Sequence, residues 1–462
     1  MIRELADGVR TRRVAARELV ELALRRIGSL DGTLGAVVGL RAEEALDEAA
    51  ALDEGIARGE DPGPLAGLPC LIKDIEDLAG MPTTGGSLLF RDARPAERDG
   101  LMTARLRAAG AIPVGKANTP EFACEGFTDN LVFGPTRNPW VPAFSPGGSS
   151  GGSGAAVAAG MVPIATATDT GGSIRIPAAF CGLAGIKPTN GIVGRDPALA
   201  WPDLTTSGPL AVSVDDLRLL LAVEAGPVAG DPNALPSWRP ERGLPRRVLA
   251  APRFFDWGPL PAELERSLAA ALERLERDLG VPVEPVGPGE LLRSGNCDTD
   301  WPIHTGPELV AWLGRERVER SMELFHPATR DFLEHGLRVT VDEYLAARAR
   351  RFAYARELDE ILGKDAVIAT PTLAEPGWLA EGSLPGMDLV SLPPSVYNTN
   401  VQNIAGYPAI TVPAGRCENG VPFGLQFTGP RFRDGMLLDL AEAWERADPW
   451  PRAAEGYAPF AL

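Results

Sequence analysis

Histidine is almost missing from this sequence: three residues in 462, His304, His326 and His335. Histidine is the usual base that activates a serine or cysteine. A hydrolytic site here must therefore draw on few candidates or on a different base. Cysteine is sparse too. Cys70, Cys124, Cys181, Cys297 and Cys417 are scattered, odd in number and never spaced C-x-x-C, which argues against a disulfide framework and a thiolate zinc site. There is no uncharged apolar run of the roughly eighteen residues that a membrane-spanning helix needs. The opening MIRELADGVRTRRVAARELV spreads charges through its apolar positions, so it reads as neither signal peptide nor span. Positive charge is in deficit: 45 Lys and Arg against 62 Asp and Glu leave −17. Such a surface repels phosphate backbones and anionic lipid. The expectation is a cytoplasmic protein with no nucleic-acid partner and no membrane partner.

What remains is ordinary globular composition, 45% hydrophobic and 23% charged. Leu5, Val9, Leu19, Val20, Leu22, Leu24 and Ile27 fall at roughly helical spacing, and an acidic helix follows over about 41–58. The first 60 residues thus read as N-terminal helices. Short apolar runs of strand type then alternate with helices: LAGLPCLIKDI at 65–75, a helix at 98–109, AIPVGKA from Ala111. DDLRLLLAV is a further helix, and 226–245 is Pro-rich and exposed. Residues 262–279 and most of 306–362 read as helix; 365–376, 403–415 and 421–430 read as strands. The alternation predicts an α/β fold, a single large layered domain (1–462) with a central mixed β-sheet flanked by helices. Within it, 65–220 forms the core, about 226–305 an insertion or lid, and 365–462 the strands and helix that complete the sheet.

Three features bear on chemistry. SPGGSSGGSG at 145–154 contains Gly147-x-Ser149-x-Gly151, a formal match to a nucleophile elbow. A Gly/Ser-rich run produces that pattern easily, and a flexible linker has the same composition. This one leads straight into AAVAAGMVPIATAT, so it would divide a core rather than two domains. A phosphate-cradling loop fails, because Gly-Ser-Gly-Ala follows where Lys-Ser or Lys-Thr is required. The second feature is Thr168-Asp169-Thr170-Gly171-Gly172-Ser173-Ile174-Arg175. Two glycines before a serine let successive N–H groups point into one concavity, an oxyanion site beside a hydroxyl; read alone, the segment is also an ordinary Gly-Gly turn. The third is Lys73, ending an apolar run before Asp74. It is either an exposed charge paired with its neighbour or a desolvated base active near neutral pH.

Taken together, the segments resemble the amidase signature family. LPCLIKD is similar to its lysine-bearing strand, FGPTRNPWVPAFSPGGSSGGSGAAVAAG to its Gly/Ser block, and ATDTGGSIRIPAAFCGLAGIKPT to its nucleophile block. GAIPVGKANTPEF, SGPLAVSVDD, NIAGYPAITVPAG and GVPFGLQFTGP extend the match, which is dense over about 65–220 and sparse over 220–364. The resemblance implies that family's fold and a Ser–Ser–Lys amide hydrolase working through an acyl-serine. It implies Ser173 as nucleophile, Ser149 as bridging serine after a cis Gly148–Ser149 peptide, and Lys73 as base. It further implies an oxyanion site on the N–H groups of Thr170, Gly171, Gly172 and Ser173, with Ser150, Asp169 and Arg175 supporting the loop. No metal and no organic cofactor is expected.

Family members cleave amides from fatty-acid amides to lactam oligomers and carbamates, and one branch serves as an amidotransferase subunit. Placement beside the matched blocks makes Phe127, Asn130, Phe133, Trp301, Tyr397, Asn398 and Gln402 candidate pocket residues. Their aromatic and amide mix favours a small-molecule amide with a neutral, partly apolar acyl group, hydrolysed by a monomer or homodimer. Three alternatives stay open: an esterase using Ser149 with one of the distant histidines, an amidotransferase subunit, and a Gly-loop anion-binding module or inactive subunit.

Overall fold

The computed structural model describes residues 1–196, 200–386 and 392–461. Its strands are β1 (Val37–Leu40), β2 (Pro69–Lys73), β3 (Ile112–Ala117), β4 (Ile164–Ala165), β5 (Thr168–Asp169), β6 (Ala184–Lys187) and β7 (Thr206–Ser207). They continue as β8 (Leu210–Ala211), β9 (Arg247–Ala250), β10 (Val283–Pro285), β11 (Ala366–Pro371), β12 (Ala409–Arg416) and β13 (Pro422–Thr428). The expected α/β arrangement on a mixed sheet is present, with the strands divided among three ladders. Seven strands run in the order β10-β9-β11-β13-β12-β6-β8, and four in the order β1-β3-β2-β4. The short β5 pairs with β7 alone. In the large sheet β9 lies parallel to β10 and β11, while every later pairing is antiparallel.

Local chemistry explains why the active segments sit where they do. Both β2 and β3 are buried along their whole length, as parallel strands covered on both faces must be. That fixes Lys73, the last residue of β2, inside the protein. The Gly/Ser run is no linker. Gly151–Ala158 is a helix with every residue buried, packed against the helix Arg175–Cys181. A Cβ at Gly152 would lie 2.4 Å from the backbone nitrogen of Asn118, and one at Gly148 would lie 2.3 Å from the carbonyl oxygen of Phe127. The glycines are there because neighbouring backbone touches them.

The structure departs from the sequence reading in several places. The opening segment is two helices, Ile2–Arg10 and Ala16–Leu34, separated by a turn in which Arg12 takes a left-handed φ of 56°. The half-exposed β1 carries no strong alternation, so the sequence does not announce it. The stretch 403–415 is only partly strand: Asn400–Ala405 is a buried helix that Gly406 ends in left-handed geometry before β12 begins. Residues 226–305 supply β9 and β10 to the large sheet, as well as the helix Ala262–Leu279. The helix Cys297–Leu313 then carries Trp301 toward the two serine loops.

Candidate active site

Lys73 projects from the end of β2 into a shell of hydroxyls. Its Nζ hydrogen-bonds Ser149 Oγ at 2.7 Å, Ser150 Oγ at 3.0 Å and Thr168 Oγ1 at 3.0 Å. Its backbone N–H donates to Thr166 Oγ1 at 2.9 Å. The side chain is fully buried, and among the described residues no carboxylate forms an ion pair with it. Burial therefore lowers the ammonium to about 7, and the charges of Glu76 and Asp169 only partly oppose this. Asp74, the neighbour expected as a salt-bridge partner, turns away and pairs with Lys116 Nζ at 3.4 Å. Ser149 follows a cis Gly148–Ser149 peptide, and its carbonyl accepts from Thr119 Oγ1 at 2.9 Å.

The loop of the second serine lies against that of the first: Ser150 N–H donates to the Ser173 carbonyl at 3.3 Å. Asp169 shapes this loop. It accepts the N–H of Gly172 at 2.7 Å and of Ile174 at 3.2 Å, and it takes both Nε and an Nη of Arg175. Burial pushes the Asp169 carboxyl up, but the Arg175 guanidinium outweighs it and holds the group below the ordinary carboxylate range. Arg175 is itself fully buried and reaches Gln402, Gln426, Asn403 and the Thr399 carbonyl. These bonds occupy Arg175 entirely with positioning the loop. The Gly172 N–H is committed to Asp169 and is unavailable to an oxyanion, contrary to the sequence expectation. Thr170, Gly171 and Ser173 keep N–H groups without an acceptor among the described residues. Gly172 adopts φ +133°, and a Cβ there would lie 2.4 Å from Thr399 Oγ1, so only glycine fits.

Ser173 opens into a cavity of about 240 Å³, and its Oγ has no partner among the described residues. A larger cavity of about 540 Å³ is lined by Thr168 and Thr170 among others, but not by Ser173. Of the seven candidate pocket residues, Trp301 and Tyr397 line the smaller cavity. Trp301 is anchored there by its Nε1, which donates to the Thr170 carbonyl at 2.9 Å. The other five lie elsewhere. Phe127 is core; Phe133 is exposed. Asn130 ties together Asn118, Thr119 and the N–H groups of Val132 and Phe133. Asn398 donates to the Pro371 carbonyl, and Gln402 binds Arg175 and Thr428. Amide side chains are as useful for bracing buried backbone as for binding substrate, and here they brace.

Sequence reasoning missed Thr168, Asn403 and Gln426, although all three fall inside the quoted segments. It also missed Glu125, Asp298 and Asp331 at the cavity, which no motif marks. None of the histidines reaches either serine. His304 is buried against Tyr344, His326 Nδ1 accepts the Ala328 N–H at 3.3 Å, and burial lowers His335. The side chain bonded to Ser149 Oγ is instead that of Lys73.

A buried lysine bonded to one serine thus lies beside a second serine whose loop carries free backbone donors. The Amidase family profile matches residues 18–438. A glutamyl-tRNA(Gln) amidotransferase subunit of Anaeromyxobacter dehalogenans is 35% identical, over 96% of this chain and 95% of its own length. A putative amidase, AmiA2, of Mycobacterium tuberculosis is 35% identical over 95% and 91%. A bacterial aryl acylamidase of the amidase signature family superposes with a TM-score of 0.86 at 28% identity, over 97% and 96%. The chain belongs to the amidase signature family. Among the described residues, no helix is long and apolar enough to cross a membrane.

Proposed function

We propose that this chain hydrolyses a small-molecule amide through an acyl-Ser173 intermediate, with Lys73 as base and Ser149 as proton bridge, and without metal or organic cofactor. The 2.7 Å contact between Lys73 Nζ and Ser149 Oγ, in full burial, supports the reading most directly. Neutral Lys73 takes the Ser149 proton as Ser149 takes that of Ser173. Ser173 Oγ attacks the carbonyl carbon, and the charge gathering on oxygen meets the free N–H groups of Thr170, Gly171 and Ser173. The proton on Lys73 returns through Ser149 to the leaving nitrogen as the C–N bond breaks. Water, deprotonated by the same relay, then cleaves the acyl ester and restores the serine. A carbamate follows the same course.

Labelling with a fluorophosphonate and mapping the modified peptide tests this. The expected adduct is on Ser173; an adduct on Ser149 instead, or none, refutes the assignment. Resemblance to an amidotransferase component favours a second reading, in which the chain acts only within an assembly. Turnover of a simple amide by the isolated chain separates the two. The net charge of −17 weighs against a role in binding tRNA directly.

A further inference from the structure

The cavity beside Ser173 is lined by carboxylates and rings. Glu125, Asp298 and Asp331 face it together with Trp301, Phe332 and Tyr397, and no lysine or arginine is among its described lining residues. Asp298 is braced: it accepts Trp257 Nε1 at 2.9 Å and Asn400 Nδ2 at 3.0 Å. Glu125 is half-buried and Asp331 exposed, and neither has a hydrogen-bond or ion-pair partner among the described residues. The charge of Arg253 acts on Asp298, but its guanidinium donates to the Ser395 and Pro259 carbonyls. Into the same space points the unpartnered Oγ of Ser173, itself more than nine-tenths buried.

Carboxylates without counter-ions, set among aromatic faces, recognise an alkylammonium group: the acids supply charge-assisted acceptors and the rings attract a cation through their quadrupoles. We propose that this pocket selects amides with a positively charged amine on the substituent that enters it, Glu125 and Asp331 receiving the ammonium and Trp301 and Phe332 flanking it. The inference rests on Ser173 being the nucleophile. It replaces the neutral acyl group that the sequence favoured. The state of Glu125 agrees with it. Burial, and then the Asp331 charge, push its carboxyl up to about 8, so an ammonium placed beside it favours the charged form.

The test measures protection of Ser173 against a fluorophosphonate by n-butylammonium and by n-butanol, at about pH 9, where the alkylammonium keeps its charge. The two probes match in size and differ in charge. The expected result is protection by the ammonium at a concentration at least about tenfold lower. Glu125→Gln and Asp331→Asn should each shrink that ratio, and the double variant should bring it close to one. Equal protection by both probes, or better protection by the alcohol, overturns the pocket assignment while leaving Ser173 as nucleophile. A preference that survives in the double variant overturns it as well, because the charge then lies elsewhere. Failure of Ser173 to label at all overturns the hydrolase reading, and this inference with it.

Discussion

Replacing Lys73 with methionine should destroy activity and raise stability, and the pH dependence of the gain shows why. The side chain is fully buried, and burial lowers its ammonium from 10.5 to about 7. The unfolded chain therefore binds a proton that the folded chain refuses. More protons on the unfolded state mean that folding stability rises with pH across this window, from about 7 to 10.5. The full displacement corresponds to roughly 5 kcal/mol of stability withheld from the wild type at the acidic end. Methionine has a similar shape and no charge to desolvate, so Lys73→Met escapes that penalty. It gives up the three hydroxyl contacts, at about 1 kcal/mol each. The net gain near neutrality should be about 2 kcal/mol, and it should shrink by about 1.4 kcal/mol per pH unit on going alkaline. Lys187 is also buried and lowered to about 7, but it is common to both proteins and cancels. Urea unfolding of the pair at several pH values measures the difference. A difference flat with pH refutes a native lysine that is neutral above 7. The same titration should govern catalysis: kcat/KM of the wild type should rise with pH to a midpoint near 7, as the base form appears.

Other outcomes follow from the same geometry. Ser173→Ala should abolish acylation, whereas Ser149→Ala should retain residual turnover through a water in the gap. Lys73→Ala should slow amides more than p-nitrophenyl esters, since an amine leaves poorly unless protonated, and equal slowing of both would mean that the lysine does not protonate the leaving group. Gly171→Ala should fold but lose activity by about a hundredfold, because the new Cβ would lie 2.8 Å from Trp301 Nε1 and 2.9 Å from Asn400 Oδ1 beside a free N–H; single-turnover acylation measures this. Arg175→Met should cost about 3–5 kcal/mol in denaturant unfolding, since it strands Asp169 and unties Gln402, Gln426 and Asn403. Dialysis against EDTA should leave activity intact, as the proposed relay from Lys73 through Ser149 to Ser173 needs no metal; loss restored by zinc refutes it.

The fold class and the triad candidates were legible in the sequence because their signals are local. Short apolar runs mark β2 and β3, Gly-Gly-Ser marks the loop at Ser173, and Lys73 closes the apolar run of β2. Their order along the chain made the resemblance specific. The interruption at Arg12 and the helix Asn400–Ala405 were not legible, since one rests on a single left-handed residue and the other on burial that propensity does not encode.

What the sequence by itself determined is which groups can do chemistry: two serines, a lysine, and hardly any histidine to compete with them. Only the tertiary structure decided which polar residues line the cavity beside Ser173 and which brace the loops around it. Asn130, Asn398 and Gln402 have the side chains of a binding pocket, yet their hydrogen bonds go to backbone and to the side chains of Asn118, Arg175 and Thr428. Glu125, Asp298 and Asp331 are separated by up to 206 residues and meet at one cavity. A carboxylate's role depends on what surrounds it, because desolvation and the absence of a counter-ion act through space, and neither is written along the chain.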